Sequence, residues 1–172
     1  AAARTVAVAG RSMGGLLAML LASRHRARVR ALVLMAPALR RQGYGPLALN
    51  TLRRADLLDV APRWISKDGV DLEDEEQLAQ APVLPRYPLK RVVDLFTLQA
   101  WTRDAEARVT CPSLVIGAVH DHVVELEPIL SLQARLPFSE KLLLQRGYHQ
   151  VVRDTDRALA ISTAAHFLER LA

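Results

Sequence analysis

The feature that most constrains this chain is the pentapeptide Gly10-Arg11-Ser12-Met13-Gly14 and what flanks it. A short apolar run, residues 5–9, precedes it, and a longer one, residues 15–22, follows. The first has the length of a buried strand and the second that of a helix, so the order reads strand, sharp turn, helix. Glycines around the serine suit a turn in which Gly10 allows close packing and unusual backbone angles, and Gly14 keeps bulk away where helix meets strand. The next apolar run, residues 31–35, completes a βαβ unit with a right-handed crossover.

Two more apolar runs, residues 113–119 and 141–144, have the continuous character of parallel strands covered on both faces. Residues 128–136 between them fit a short amphipathic helix. Near the end, Ala160, Ile161, Ala164, Phe167, Leu168 and Leu171 fall on one helical face. The helix at residues 13–23 is apolar nearly all round, which predicts burial on several sides. The fold class is therefore α/β, a mostly parallel sheet with flanking helices. Between residues 40 and 110 the pattern changes and strand signals vanish. Helical segments near 46–60 and 88–103 are punctuated by Gly43, Gly45, Pro62, Pro82 and Pro85. The acidic run at 71–76 reads as a solvated helix start or loop. We read residues 41–110 as a helical insertion into a core made of residues 1–40 and 111–172.

A chain of 172 residues is long enough for one domain with a real core. No apolar stretch reaches the length of a membrane span, and no secretory signal pattern opens the chain. It begins with Ala rather than Met, so a processed or cropped start is expected. The net charge of +5 raises the question of nucleic acid. The densest cluster, Arg24, Arg26, Arg28 and Arg30, sits at the end of the first predicted helix, where the dipole favours cations, and no aromatic residue interleaves with it. Nucleic acid is not the expected partner. The single cysteine, Cys111, rules out an internal disulfide and fits a reducing, cytoplasmic setting. Its place before Pro112 at a strand start reads as a small buried hydrophobe rather than a nucleophile.

Acyl transfer by a serine needs an activated hydroxyl, a base to activate it and an acid to orient the base. Ser12 is placed for the first role, at a turn above the sheet. The helix that begins at Met13 aims its N-terminal N–H groups there, and the Met13 N–H is the natural donor to an oxyanion. His149 follows the fourth predicted strand and Asp121 follows the third. All three thus sit past the carboxyl ends of parallel strands, the edge where sites in open α/β sheets collect. Several competitors stand beside them. His120 and His122 flank Asp121 and resemble a metal pair without a third ligand. Glu125 is a substitute acid further past the strand. Asp154 reads as a cap for the last helix or a support for the histidine loop. His25 and His166 read as helix residues.

The chain resembles the C-terminal two-thirds of a serine α/β-hydrolase, especially the bacterial carboxylesterase and monoacylglycerol-lipase-like group. Residues 8–16 carry the nucleophile turn, residues 111–124 the acid motif and residues 147–154 the histidine motif. The order Ser, Asp, His is that of the family. The resemblance implies Ser12 as nucleophile, Asp121 as orienter and His149 as general base. It places the helical insertion where the family carries its cap, with Leu47, Trp64 or Trp101 lining an acyl pocket, although core packing explains each of these residues as well. It implies a small acyl ester as substrate, an acylglycerol or a short- to medium-chain ester, with no metal or organic cofactor.

Two departures accompany it. Tyr148 stands where the family usually has glycine directly before the histidine. The early strands, and the loop that supplies a second oxyanion donor, are expected to be missing, which leaves an apolar sheet edge open to another chain. The alternative expectation is accordingly a truncated, catalytically impaired hydrolase that acts as a binding or oligomerising domain.

Overall fold

The structure, a computed structural model, describes residues 5–43, 51, 63–67 and 69–172. The elements run β1 (Val6–Arg11), α1 (Met13–Arg24), β2 (Val29–Met35), β3 (Trp64–Ser66), α2 (Glu75–Ala79), β4 (Arg86–Pro88), α3 (Leu89–Glu106), β5 (Ser113–Ala118), α4 (Leu126–Arg135), β6 (Ser139–Leu144) and α5 (Arg157–Glu169). The four apolar runs become the four strands of a parallel sheet in the order β1-β2-β5-β6. Parallel strands need cover on both faces, and β5 at the sheet centre is buried along its whole length. Leu32, Leu34, Leu114 and Ile116 fill that centre, and Leu16 and Met19 of α1 lie over it.

Helix α1 does not bury all its sides. Met13, Leu17 and Leu21, four residues apart, form an exposed stripe, while the opposite face meets the sheet and α3. Strand β1 lies at a sheet edge and pairs with β2 alone among the described residues, and its Val6 is exposed. In α5 the expected apolar face is only partly used. Ala160 and Phe167 are buried, Ala164 and Leu168 pack partly, and Ile161 faces solvent. No helix among the described residues is long and apolar enough to cross a membrane.

The region between β2 and β5 departs most from the sequence reading. It contains strands: β3 and β4 pair antiparallel, with Ile65 opposite Tyr87. Two three-residue strands that include Ser66, Arg86 and Pro88 are too short for periodicity to betray them. The acidic run does open a helix, α2, capped by the Asp74 side chain, which accepts from Gln77 N at 3.0 Å. Asp71, Glu73 and Asp74 of the run are engaged by hydrogen bonds, while Glu75 and Glu76 are exposed. Helix α3 belongs with the core packing. It lies along α1, adds Leu95 and Leu98 to the main apolar cluster, and its buried Gln99 donates to the Ala38 carbonyl at 2.7 Å. The helix expected near residues 46–60 lies almost wholly outside the described residues.

Candidate active site

Ser12 links β1 to α1 with φ 52° and ψ −121°, a conformation that non-glycine residues adopt only when held there. Three backbone hydrogen bonds hold it. Its N–H donates to Met35 O at 2.9 Å, and its carbonyl accepts from Gly15 N at 3.0 Å and Ala38 N at 3.1 Å. The glycines divide the work differently from the sequence reading. A Cβ on Gly10 would lie 2.2 Å from Gly14 O, so that position admits no side chain, although its φ is not in the left-handed region. A Cβ on Gly15 would meet Pro37 Cβ at 3.0 Å, whereas one on Gly14 would meet nothing within 4 Å. The unusual backbone angles fall on the serine itself, and the close approaches fall on Gly10 and Gly15.

Ser12, Asp121 and His149 come together as the strand ends require. Ser12 Oγ lies 2.9 Å from His149 Nε2, and His149 Nδ1 lies 2.8 Å from Asp121 Oδ2. Asp121 and His149 are each only 4% exposed. An ionised carboxylate can only accept, so the imidazole proton belongs on Nδ1, and Nε2 faces the hydroxyl as an acceptor. The other Asp121 oxygen accepts from Val123 N and Val124 N, each at 2.8 Å. Those bonds fix the carboxylate and satisfy its remaining charge. The Met13 N–H opens α1, and the first N–H groups of a helix have no acceptor within it.

A second set of carboxylates ties these loops to the segment before α2. Asp71 Oδ2 accepts from His149 N and from His122 N, both at 3.1 Å, while Oδ1 lies 2.8 Å from His122 Nδ1. Glu73 accepts from Gly147 N at 2.7 Å. Asp154 is the hub. It accepts from Tyr148 N at 2.6 Å, Thr155 N at 2.8 Å, and Glu73 N and Asp74 N at 3.0 Å. Burial disfavours its charge, but these backbone donors outweigh that and hold the carboxyl below the ordinary carboxylate range. Asp154 therefore supports the histidine loop and does not cap α5. The N-cap of α5 is Asp156, whose carboxylate accepts from Arg146 N at 3.0 Å instead. Nothing local in the sequence marks Asp71 or Glu73 for this role, because their partners lie more than 50 residues away.

Tyr148 leaves the imidazole in reach of both its partners. Its ring packs edge-on against His122 with centroids 4.5 Å apart, and the left-handed turn is taken by Gly147 at φ 80°. The remaining candidates stand apart from the chain of hydrogen bonds. Glu125 pairs with Arg40 at 2.6 Å. His120 is exposed, and the His122 ring is occupied by Asp71 and Tyr148. His25 is the C-cap residue of α1, and His166 is exposed on α5. Cys111 packs half-buried against the core, and burial pushes its thiol up.

Ser12 and His149 open into a cavity of about 510 Å³. Its walls include Arg11 and Leu95 from the core elements and Lys67 and Tyr87 from around the β3–β4 pair. The two tryptophans expected there are elsewhere. Trp64 is 52% exposed, under the Arg86 guanidinium, and Trp101 is 55% exposed on α3. Neither lines the cavity, and neither is core, because both rings face outward from their elements. Leu47 lies outside the described residues.

A parallel sheet flanked by helices, with a strained serine between its first strand and first helix and the acid and histidine past later strands, is the fold of an α/β-hydrolase. Residues 2–156 match the family model Hydrolase_4, serine aminopeptidase, S33, and the chain belongs to that family. It is 28% identical to the uncharacterized protein YnbC of Escherichia coli (strain K12), over 96% of this chain and 30% of that protein. It is 27% identical to the thermostable monoacylglycerol lipase of Bacillus sp. (strain H-257), over 97% of this chain and 64% of that enzyme. A solved structure from work on the metagenome-derived lipolytic enzymes LipS and LipT superposes with TM-score 0.83 at 25% identity, covering 96% of this chain and 65% of that one. The chain thus spans about two thirds of the lipases it resembles and under a third of YnbC.

Proposed function

We propose that this chain is a serine hydrolase that cleaves carboxylic esters through an acyl-Ser12 intermediate. The observation that carries the reading is the unbroken line of hydrogen bonds Ser12 Oγ, His149 Nε2, His149 Nδ1, Asp121 Oδ2 at 2.9 and 2.8 Å. In this reading His149 takes the Ser12 proton as Oγ attacks the ester carbonyl carbon. The Met13 N–H, at the positive end of α1, holds the oxyanion. Asp121 stabilises the imidazolium, which then protonates the departing alkoxide. His149 next deprotonates a water that attacks the acyl carbon, and the carboxylic acid leaves with Ser12 restored. The lipase and esterase relatives support an ester over an amide. The segment carrying β3 and β4 serves as the cap, since Ser66, Lys67 and Tyr87 wall the cavity. A lone cysteine supports a reducing, cytoplasmic setting.

The test is labelling by a fluorophosphonate probe, read as intact mass, with Ser12→Ala as the control. Stoichiometric labelling that disappears in the variant is expected. Folded protein that stays unlabelled overturns the reading. In that event the β1 edge, unpaired among the described residues, and the exposed Met13, Leu17 and Leu21 support the second reading, an impaired hydrolase that binds or oligomerises.

A further inference from the structure

The cavity beside Ser12 is unusually rich in positive charge. Among the described residues Arg11, Arg41 and Lys67 line it, against one lining carboxylate, Asp71. That carboxylate is already occupied by the His122 ring and two backbone N–H groups. None of the three cations makes a salt bridge among the described residues, although Arg40, Arg135, Arg157 and Arg170 all do. Arg41 is the most exposed to this deficit. Its Nε is buried with no hydrogen-bond partner, and among the described residues its side chain makes one hydrogen bond, a long one of 3.4 Å from Nη1 to the Tyr87 hydroxyl. Arg11 is half-buried, which lowers its pKa, and the Arg153 charge lowers it further.

Desolvating a guanidinium without a counter-charge costs free energy, and buried charges are ordinarily paired. Here two half-buried arginines, Arg11 and Arg41, and the exposed Lys67 line the cavity that also holds the Ser12 hydroxyl. A guanidinium presents a planar fork of donors that matches a carboxylate. We infer that the substrate is an ester that also carries a carboxylate, held by Arg41 with Arg11 and Lys67 around it. This inference rests on the esterase reading above and names its substrate class. A neutral acylglycerol would leave these donors as they stand, so the cavity discriminates by charge as well as by fit.

The test uses binding, which does not depend on turnover. Titration calorimetry on the Ser12→Ala protein compares monomethyl glutarate with methyl pentanoate, and carboxymethyl butanoate with ethyl butanoate. The first pair carries the charge on the acyl side and the second on the alcohol side. At least one acidic ester is expected to bind about tenfold or more tightly than its neutral partner, the size of a charge-assisted pair. Added Arg41→Gln is expected to bring that ratio near one, and rising NaCl is expected to erode it in the Ser12→Ala protein even if the double variant does not fold. No preference for either acidic ester, or a preference insensitive to both Arg41→Gln and salt, overturns the inference. Acid binding by the Ser12→Ala protein together with a folded wild type that the fluorophosphonate does not label overturns the esterase reading and leaves the anion site standing.

Discussion

Replacing Asp154 by Asn probes the joint between the histidine loop and the segment before α2. The side chain is 1% exposed and nearly isosteric with its replacement, so packing stays constant. Its carboxylate serves Tyr148, Thr155, Glu73 and Asp74 through their backbone N–H groups. An asparagine offers one acceptor oxygen and one amide nitrogen. If the oxygen keeps Glu73, Asp74 and Thr155, the amide faces the Tyr148 N–H across the 2.6 Å now closed by a strong bond. One buried donor left unsatisfied costs about 1–3 kcal/mol, and three bonds weakened from charged to neutral acceptors cost about 1 kcal/mol each. The expected loss is about 3–5 kcal/mol after relaxation, a large share of the roughly 5–15 kcal/mol that holds a domain together.

Urea unfolding followed by circular dichroism measures it. The pH dependence supplies a second check. The folded Asp154 carboxyl titrates below its ordinary value, so its contribution is fully present above about pH 4 and is lost as pH falls through the lower folded pKa. The gap between wild type and variant should therefore hold steady from neutrality to about pH 5 and narrow below about pH 4. Amide exchange at Glu73, Asp74 and Tyr148 should quicken together, because one carboxylate serves all three. A gap under about 0.5 kcal/mol at neutral pH, the scale of a surface substitution, would refute the reasoning, as would a gap that ignores acid.

Two further outcomes follow from the same geometry. Gly10→Ala, whose Cβ would sit 2.2 Å from Gly14 O, should prevent folding or lower the melting temperature steeply. Gly14→Ala meets open space in the first turn of α1 and should melt at or above wild type, since alanine favours a helix over glycine by up to about 1 kcal/mol; equal melting of the two variants contradicts this. Asp71→Asn weakens the bond to the His149 N–H and to His122, and should lower kcat for p-nitrophenyl butyrate about tenfold or more with the fold intact by circular dichroism. Unchanged kcat would show that the histidine loop does not need Asp71.

The line between legible and illegible runs along sequence distance. The parallel sheet was readable because each strand is a continuous apolar run, and the serine turn because its glycines and flanking runs are local. Asp121 and His149 were readable because each follows its own strand closely, and strand ends in such a sheet share one edge. What lay beyond reach depends on partners far apart in the chain. The β3–β4 pair joins residues 20 to 24 apart with strands too short to show a period. Asp71 and Glu73 look like ordinary surface acids until folding sets them under backbone donors from another segment, whereas Asp154, close to the histidine loop in the chain, could be read as its support or as a helix cap. Trp64 and Trp101 are large and apolar, yet their direction depends on what packs beside them, and it turned them outward. Arg41 is one arginine among many in the sequence, and only folding sets it in the cavity wall with its Nε buried and unpartnered. Local patterning thus determined the sheet, the turn and the order of Ser12, Asp121 and His149 past their strand ends. Tertiary packing decided which carboxylates anchor them and which cations face the space beside Ser12, because burial and pairing are properties of neighbours that the chain brings together only when it folds.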